Sequence, residues 1–178
     1  MEKLHLGSGT KILKGWINVD LDDRYSPEVV HDLETFPYPF KDNTFSEILM
    51  DNILEHLKDT VAVMTELHRI SKPGGIIRIM VPHCTSFMAM SHITHKKAFS
   101  SITFGTLEPE SSERYSGANF RVLETKLIWL TSRDWFWIRP MKKIVDGFIN
   151  IKPFFSERFL SQLLGGFDQI NYKLKVLK

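Results

Sequence analysis

Residues Leu4-His5-Leu6-Gly7-Ser8-Gly9-Thr10, followed by Ile17-Asn18-Val19-Asp20, decide how the rest of the chain is read. Lys3 to Leu6 is a short apolar strand that runs straight into a glycine turn. Glycine has no Cβ and tolerates positive φ, so backbone there can come close to a ligand. Ile17 to Asp20 is a second strand that ends on a carboxylate, placed to accept hydrogen bonds from ribose hydroxyls. Together they predict an adenosine-containing ligand lying across the carboxyl ends of parallel strands. The connection between the two strands is a difficulty, because parallel pairs normally need a crossover of a dozen residues or more. Either this crossover is unusually tight or the strands are not neighbours; the order of the later segments favours the tight crossover.

Working outward, Glu28 to His31 reads as a third strand leading to Asp32-Leu33. Pro37 and Pro39 make the next segment extended rather than helical. Phe45 to Met50 is a fourth strand, apolar enough for burial on both faces. Asn52 and Glu55 have the spacing of a capping box, which predicts a helix from there to about Ile70. Ser71-Lys72-Pro73-Gly74-Gly75 stops that helix, and Ile76 to Val81 is a fifth strand. Phe87 to Phe104 reads as helical in part, and Thr106 to Ala118 as a polar loop. Phe120 to Leu130 is a sixth strand, and 133–166 an aromatic-rich pair of helices broken at Pro153. Ile170 to Val176 alternates strictly and reads as a half-buried antiparallel strand.

The composition sets the class. The chain has 178 residues, 43% of them hydrophobic and 25% charged, which predicts one globular domain over residues 1–178 with an aromatic-rich insertion at 131–168. A formal net charge of +2 gives no argument for a nucleic-acid partner. With Cys84 the single cysteine, neither an internal disulfide nor a cysteine-based zinc site is available. Met1-Glu2-Lys3 enters a strand directly, with no apolar leader, and the expected location is cytoplasmic.

Five motifs in order, Leu6-Gly7-Ser8-Gly9, Asp20, Asp32-Leu33, Glu55-His56-Leu57 and Lys72-Pro73-Gly74-Gly75, resemble those of the seven-stranded S-adenosylmethionine-dependent methyltransferases, in their type 11-like group. The resemblance covers roughly Met1 to His83. It implies a Rossmann-like α/β fold, a mostly parallel seven-stranded sheet with an antiparallel closing strand, here with reduced flanking helices. It also implies roles. Gly7, Ser8 and Gly9 would hold the methionine part of S-adenosylmethionine. Asp20, followed by Leu21, would take the ribose, Asp32 and Leu33 the adenine, and Asp51 and Asn52 would lie beneath the sulfonium and amino end. Two positions depart from the pattern: His5 stands where an acid is usual, and Lys11 where a third glycine is common.

The resemblance implies methyl transfer to a small-molecule substrate, and three rival readings stand against it. A nicotinamide oxidoreductase would need a glycine at position 12, which is Ile12, and an acid later than Asp20. A methyltransferase-like module without catalysis is the main alternative, since fold does not dictate activity. A metal enzyme is suggested by His83, His92 and His95, which lie close in sequence; without a clear carboxylate partner they read as loop hydrogen bonders, and no metal is expected. His95 is the first candidate for a general base and His83 the second. The polar loop and the stretch Trp129 to Phe159 are candidates for a lid.

The reduced helices also predict an uncovered apolar face at Leu4, Leu6, Ile17 and Val19. Residues 135–164 are expected to fold back over it, or the same face to form a homodimer. Lys142, Lys143 and Lys152 among the aromatics allow a third reading, a helix lying on a membrane surface.

Overall fold

The computed structural model describes residues 2–112, 117–131 and 138–178. Seven strands form a single sheet in the order β3-β2-β1-β4-β5-β7-β6. They are β1 (Glu2–Leu6), β2 (Ile17–Asp20), β3 (Val29–Val30), β4 (Phe45–Asp51), β5 (Ser71–Pro82), β6 (Asn119–Ile128) and β7 (Gln169–Leu177). The first five pair in parallel, and β7 runs antiparallel to both of its neighbours. This is the sheet expected from the sequence.

The tight crossover between β1 and β2 is real, and Asn18 explains it. Its carboxamide is fully buried and occupies the place of a crossover helix. Nδ2 donates to the Leu13 carbonyl at 3.1 Å and to Glu28 Oε2 at 2.8 Å, while Oδ1 accepts from the Leu13 amide at 3.0 Å. His5 Nδ1 adds a contact of 3.2 Å to the same oxygen. One side chain thus satisfies loop backbone that a helix would have satisfied internally.

The main helix α1 (Thr60–Ile70) begins later than predicted, and a short helix α2 (Phe87–Ser91) follows β5. Asp59 caps it, its carboxylate accepting from the Ala62 amide at 2.9 Å. The Asn52–Glu55 capping box does not form. Asn52 lies in the left-handed region at φ 54°, and Leu54–His56 is a single 3-10 turn without a side-chain cap. The fifth strand also starts earlier, at Ser71. It pairs with Phe45, loops out through Pro73 and Gly74, and resumes opposite Glu47 at Ile76.

One face of the sheet carries Leu4, Leu6, Ile48, Met50, Ile77, Ile79 and Leu174, all fully buried. Val63, Met64, Leu67 and Ile70 of α1 join them in one core, together with Leu33, Tyr38, Phe99 and Phe104. The uncovered apolar face expected at Leu4, Leu6, Ile17 and Val19 is therefore absent: α1 and the 33–40 segment already cover it. The alternate residues face the other way and are largely polar, with Lys3, Glu47, Arg78, Glu124, Lys126 and Lys173 among them. Glu47 bridges Lys3 at 2.8 Å and Arg78 at 2.8 Å across three strands. Among the described residues that face carries no helix, and on it burial is confined to a patch at His5, Asn18 and Leu49, so β4 and β5 are not buried on both sides along their length.

The described part of the aromatic-rich segment does not fold back over β1. Its helix α3 (Arg139–Ile149) lies against the β6 edge, and α4 (Pro153–Phe155) continues into a π-turn over Ser156–Leu160. Asn150 brackets Leu127, accepting its N–H at 2.7 Å and donating to its carbonyl at 2.7 Å. Asp146 accepts the Trp129 amide at 2.9 Å. These bonds close the outer row of an edge strand that would otherwise be open to pairing. Trp135 and Trp137, named in the sequence expectation, lie outside the described residues. Phe148, Ile144 and Ile151 are exposed, Phe148 at 61%. Among the described residues, no helix is long and apolar enough to cross a membrane.

Candidate active site

The carboxyl ends of β1, β2, β4 and β5 lie along one rim, where β2 ends on Asp20 and β4 on Asp51. At β1 the chain turns through Gly7 (φ 66°) and Gly9 (φ 48°). A Cβ on Gly7 would stand 2.4 Å from Ile53 Cγ1, so glycine is required there for packing; around Gly9 the space is open. Ser8 is buried, its hydroxyl without a hydrogen-bond partner among the described residues. The turn is held from β2: the Ser8 amide donates to the Val19 carbonyl at 3.0 Å and the Gly9 amide to Asp20 Oδ2 at 2.7 Å. Asp20 also accepts from the Asp22 amide at 3.0 Å. Asp20 thus shapes the turn, and leaves lone pairs for a further donor. Leu21 beside it is exposed.

Asp32 is exposed and closes a local turn by accepting from the Glu34 amide at 2.8 Å. Leu33 is buried in the core beneath it, so its side chain is packing and only its backbone borders the rim. Asp51 sits at the tip of β4, where Oδ2 takes Lys11 Nζ at 2.6 Å and Oδ1 takes Asn52 Nδ2 at 2.9 Å. Lys11, the residue in place of a third glycine, thus puts a cation on the carboxylate expected to face the sulfonium and amino end.

Above Asn52 opens a cleft of about 400 Å³, lined by Glu55, His56, Pro82, Met88, His92, His95, Thr131 and Asp168 among others. Glu55 is the most unusual group in it. Its residue is 1% exposed, and neither carboxylate oxygen has a hydrogen-bond partner among the described residues. Burial pushes its pKa up to about 7, and the nearby Asp51 charge adds to the rise. His56 is pushed down, first by burial and then by the neighbouring His95 and His92. The His92 and His95 rings stack at 4.6 Å, and His56 meets His95 edge-on at 4.7 Å. Asp168, at the start of β7, accepts from the Thr131 amide at 2.7 Å.

His95, the first candidate base, lies half-buried on the cleft wall. His83 does not. It is fully buried, its Nδ1 accepts the Thr85 amide at 3.1 Å, and its Nε2 lies 3.6 Å from Glu157. That ring ties the end of β5 to the π-turn and has no access to the cleft, which removes it as a candidate base. The sequence reading missed the cleft roles of Glu55, His56, His92 and Asp168. Glu55 was hidden by its capping-box spacing, and His56 lies too far along the chain from His92 to suggest a cluster.

The residues suit S-adenosylmethionine: a buried unpartnered hydroxyl in the glycine turn and acids at the tips of β2 and β4. The comparisons agree. Residues 14–79 match the family model described as a methyltransferase domain. An uncharacterized methyltransferase of Schizosaccharomyces pombe is 45% identical over 42 residues, 24% of this chain and 15% of that protein. Demethylmenaquinone methyltransferase of Geobacillus stearothermophilus is 32% identical over 81 residues, 44% of this chain and 34% of that protein. The matches thus span no more than about a third of these relatives. Among solved structures, an S-adenosylmethionine-dependent methyltransferase of Mesorhizobium loti superposes with a TM-score of 0.63 at 10% identity, over 98% of this chain and 90% of that one. One from Archaeoglobus fulgidus gives 0.60 at 16%, over 98% and 85%. Those two likenesses concern the fold, which agrees with the family match and with the motifs along the first half of the chain. Motifs and family match converge on the first half of the chain, where residues 14–79 match a methyltransferase domain, and the chain as a whole has the fold of the S-adenosylmethionine-dependent methyltransferases on which it superposes.

Proposed function

We propose that this chain transfers the methyl group of S-adenosylmethionine to a small-molecule acceptor held in the cleft above β4, β5 and β7. The observation that carries the proposal is the cleft itself. It opens beside Asp51 and Asn52 at the strand tips and is walled by imidazoles and acids that can hold and deprotonate an acceptor. Bound at the rim, the cofactor supplies a sulfonium-activated methyl group, which leaves its electron pair on sulfur as the new bond to the acceptor forms. The work left to the protein is alignment and removal of one proton. Gly7, Ser8 and Gly9 give close backbone approach, Asp20 takes the ribose hydroxyls, and Asp32 the adenine amino group. His95 takes the acceptor proton, with Asp168 and Thr131 on the cleft wall to orient a hydroxylated substrate.

Calorimetry with S-adenosylmethionine tests the cofactor half of this. Asp20→Ala removes one or two hydrogen bonds to a charged group, a loss of about 2–4 kcal/mol in binding. Unchanged affinity removes the ribose assignment. A screen with labelled cofactor against hydroxylated and sugar-like metabolites then tests the acceptor. A demethylated quinone belongs in it, because the Geobacillus relative is named for one.

One observation favours a second reading, a binding module without catalysis. Lys11 already neutralises Asp51, and the Gly9 amide is already taken by Asp20. Failure of wild-type protein to bind either S-adenosylmethionine or its demethylated product would select that reading.

A further inference from the structure

The sequence grouped His83 with His92 and His95. The fold regroups them, sending His83 into the core and bringing His56 from the turn after β4 to the other two. We propose that His56, His92 and His95 form a binding site for a divalent transition metal of the zinc class at the mouth of the cleft. One ring nitrogen from each lies within 4.8 Å of the other two. Metal–nitrogen bonds of about 2.0–2.1 Å in a tetrahedron put ligand nitrogens about 3.3 Å apart. The rings therefore close by an ångström or so, a movement open to side chains that are exposed (His92) or half-buried (His56, His95).

The contacts at the three Nδ1 atoms suit ligation through Nε2. Thr94 Oγ1 lies 2.8 Å from His56 Nδ1 and 3.0 Å from His92 Nδ1, and the Ala89 carbonyl lies 3.3 Å from His95 Nδ1. A hydroxyl oxygen has two lone pairs, so Thr94 can accept from both Nδ1–H groups while Ala89 accepts from the third. That leaves the Nε2 lone pair of every ring for the ion. Oxygen acceptors on the far nitrogens are the usual means of fixing metal-ligating imidazoles. The ligands also come from two well-separated elements, with His95 tied to His92 by its backbone amide at 3.1 Å and the Lys96 amide tied to Glu55 at 2.8 Å. The turn is thereby anchored beside the 3-10 turn that carries His56.

A second cluster, His83, Cys84 and Glu157, has the same ligand spacing. Its groups are otherwise engaged: His83 accepts from the Thr85 amide, and Glu157 accepts from the Ser101 amide at 2.7 Å. Three protein ligands leave a fourth position open toward the cleft, the arrangement of a catalytic rather than a structural ion. An acceptor hydroxyl or thiol would bind there and shed its proton to solvent, so the ion would do in the metal-loaded protein what His95 does in the metal-free one. That role rests on the methyl-transfer reading; the binding site does not.

The test loads chelator-treated full-length protein with Co²⁺ and then Zn²⁺. Expected are one ion per chain, the intense visible bands of four-coordinate cobalt, and displacement by zinc. His92→Ala changes an exposed side chain and should weaken cobalt binding at least tenfold, as should His95→Ala, while Cys84→Ser leaves it unchanged. Absence of binding at micromolar zinc, retention of affinity in His92→Ala, or loss of binding in Cys84→Ser with a thiolate charge-transfer band would each overturn the proposal. Calorimetry with S-adenosylmethionine on the metal-free protein keeps the two readings apart, since cofactor binding there does not depend on the histidines.

Discussion

Replacing Glu55 by glutamine isolates the cost of burying an acid with no partner. In the unfolded chain its carboxyl titrates near 4.5, whereas in the fold the value is about 7. The folded state therefore binds this proton more tightly. Below pH 4.5 the group is protonated in both states and imposes no penalty. Between 4.5 and 7 the unfolded state ionises first, and stability falls as pH rises. Above 7 the full penalty is present. The rise from 4.5 to about 7, at about 1.4 kcal/mol per pH unit, corresponds to about 3.5 kcal/mol when fully developed. Glu55→Gln has the same shape and no charge, so it should match wild type at pH 4.5 and exceed it by about 3 kcal/mol at pH 8. Urea unfolding of both proteins at a series of pH values, with chelator present, reads the difference, in which the other titrating groups cancel. Parallel pH profiles for the two proteins would refute the reasoning. So would a variant less stable than wild type at pH 8.

Three further outcomes follow from the rim. Lys11→Ala removes a half-exposed cation from Asp51 and should tighten S-adenosylmethionine by about 0.5–1 kcal/mol, roughly two- to fivefold, with a smaller effect on the uncharged-sulfur product; weaker binding of both ligands would show that Lys11 holds the cofactor rather than competing with it. Gly7→Ala and Gly9→Ala share a cost of about 1–2 kcal/mol for positive φ, but the collision with Ile53 adds about 1–3 kcal/mol only at Gly7. Thermal unfolding should rank Gly7→Ala well below Gly9→Ala, and equal losses would contradict the packing. Asn18→Ala strips partners from buried loop backbone and should destabilise by roughly 3 kcal/mol or more, and a loss under 1 kcal/mol in denaturant titration would mean the loop is held by something else.

Much of this architecture is written locally. The β1 turn, the strand-tip acids and the alternation of β7 are each carried by residues within one element, and the sheet order follows from them. What was not legible depended on contacts distant in sequence. Asn52-Ile53-Leu54-Glu55 has the letters of a cap, but Asn52 takes a left-handed conformation that a cap cannot use, and Asp59 caps instead. Leu4, Leu6 and Val19 read as uncovered because no helix adjoins them in sequence, whereas α1 reaches them from more than forty residues further on. The crossover worked without a helix because Asn18, an unremarkable residue in a strand, turns its carboxamide to the loop. His56 and His92 share a site only because the turn after β4 and the turn after α2 (Phe87–Ser91) meet above the sheet.

The sheet's wet face has a thermodynamic consequence. Unfolding raises the heat capacity in proportion to the apolar surface newly hydrated, and typical domains of 178 residues gain about 2.1–2.7 kcal/mol/K. A domain that dries one side of its sheet fully and the other only around His5, Asn18 and Leu49, and already keeps Lys3, Arg78, Glu124 and Lys173 in water there, gains less. Its stability curve is accordingly flatter, and its cold-unfolding limit lies further below freezing than that of a sheet covered on both sides with the same midpoint and enthalpy.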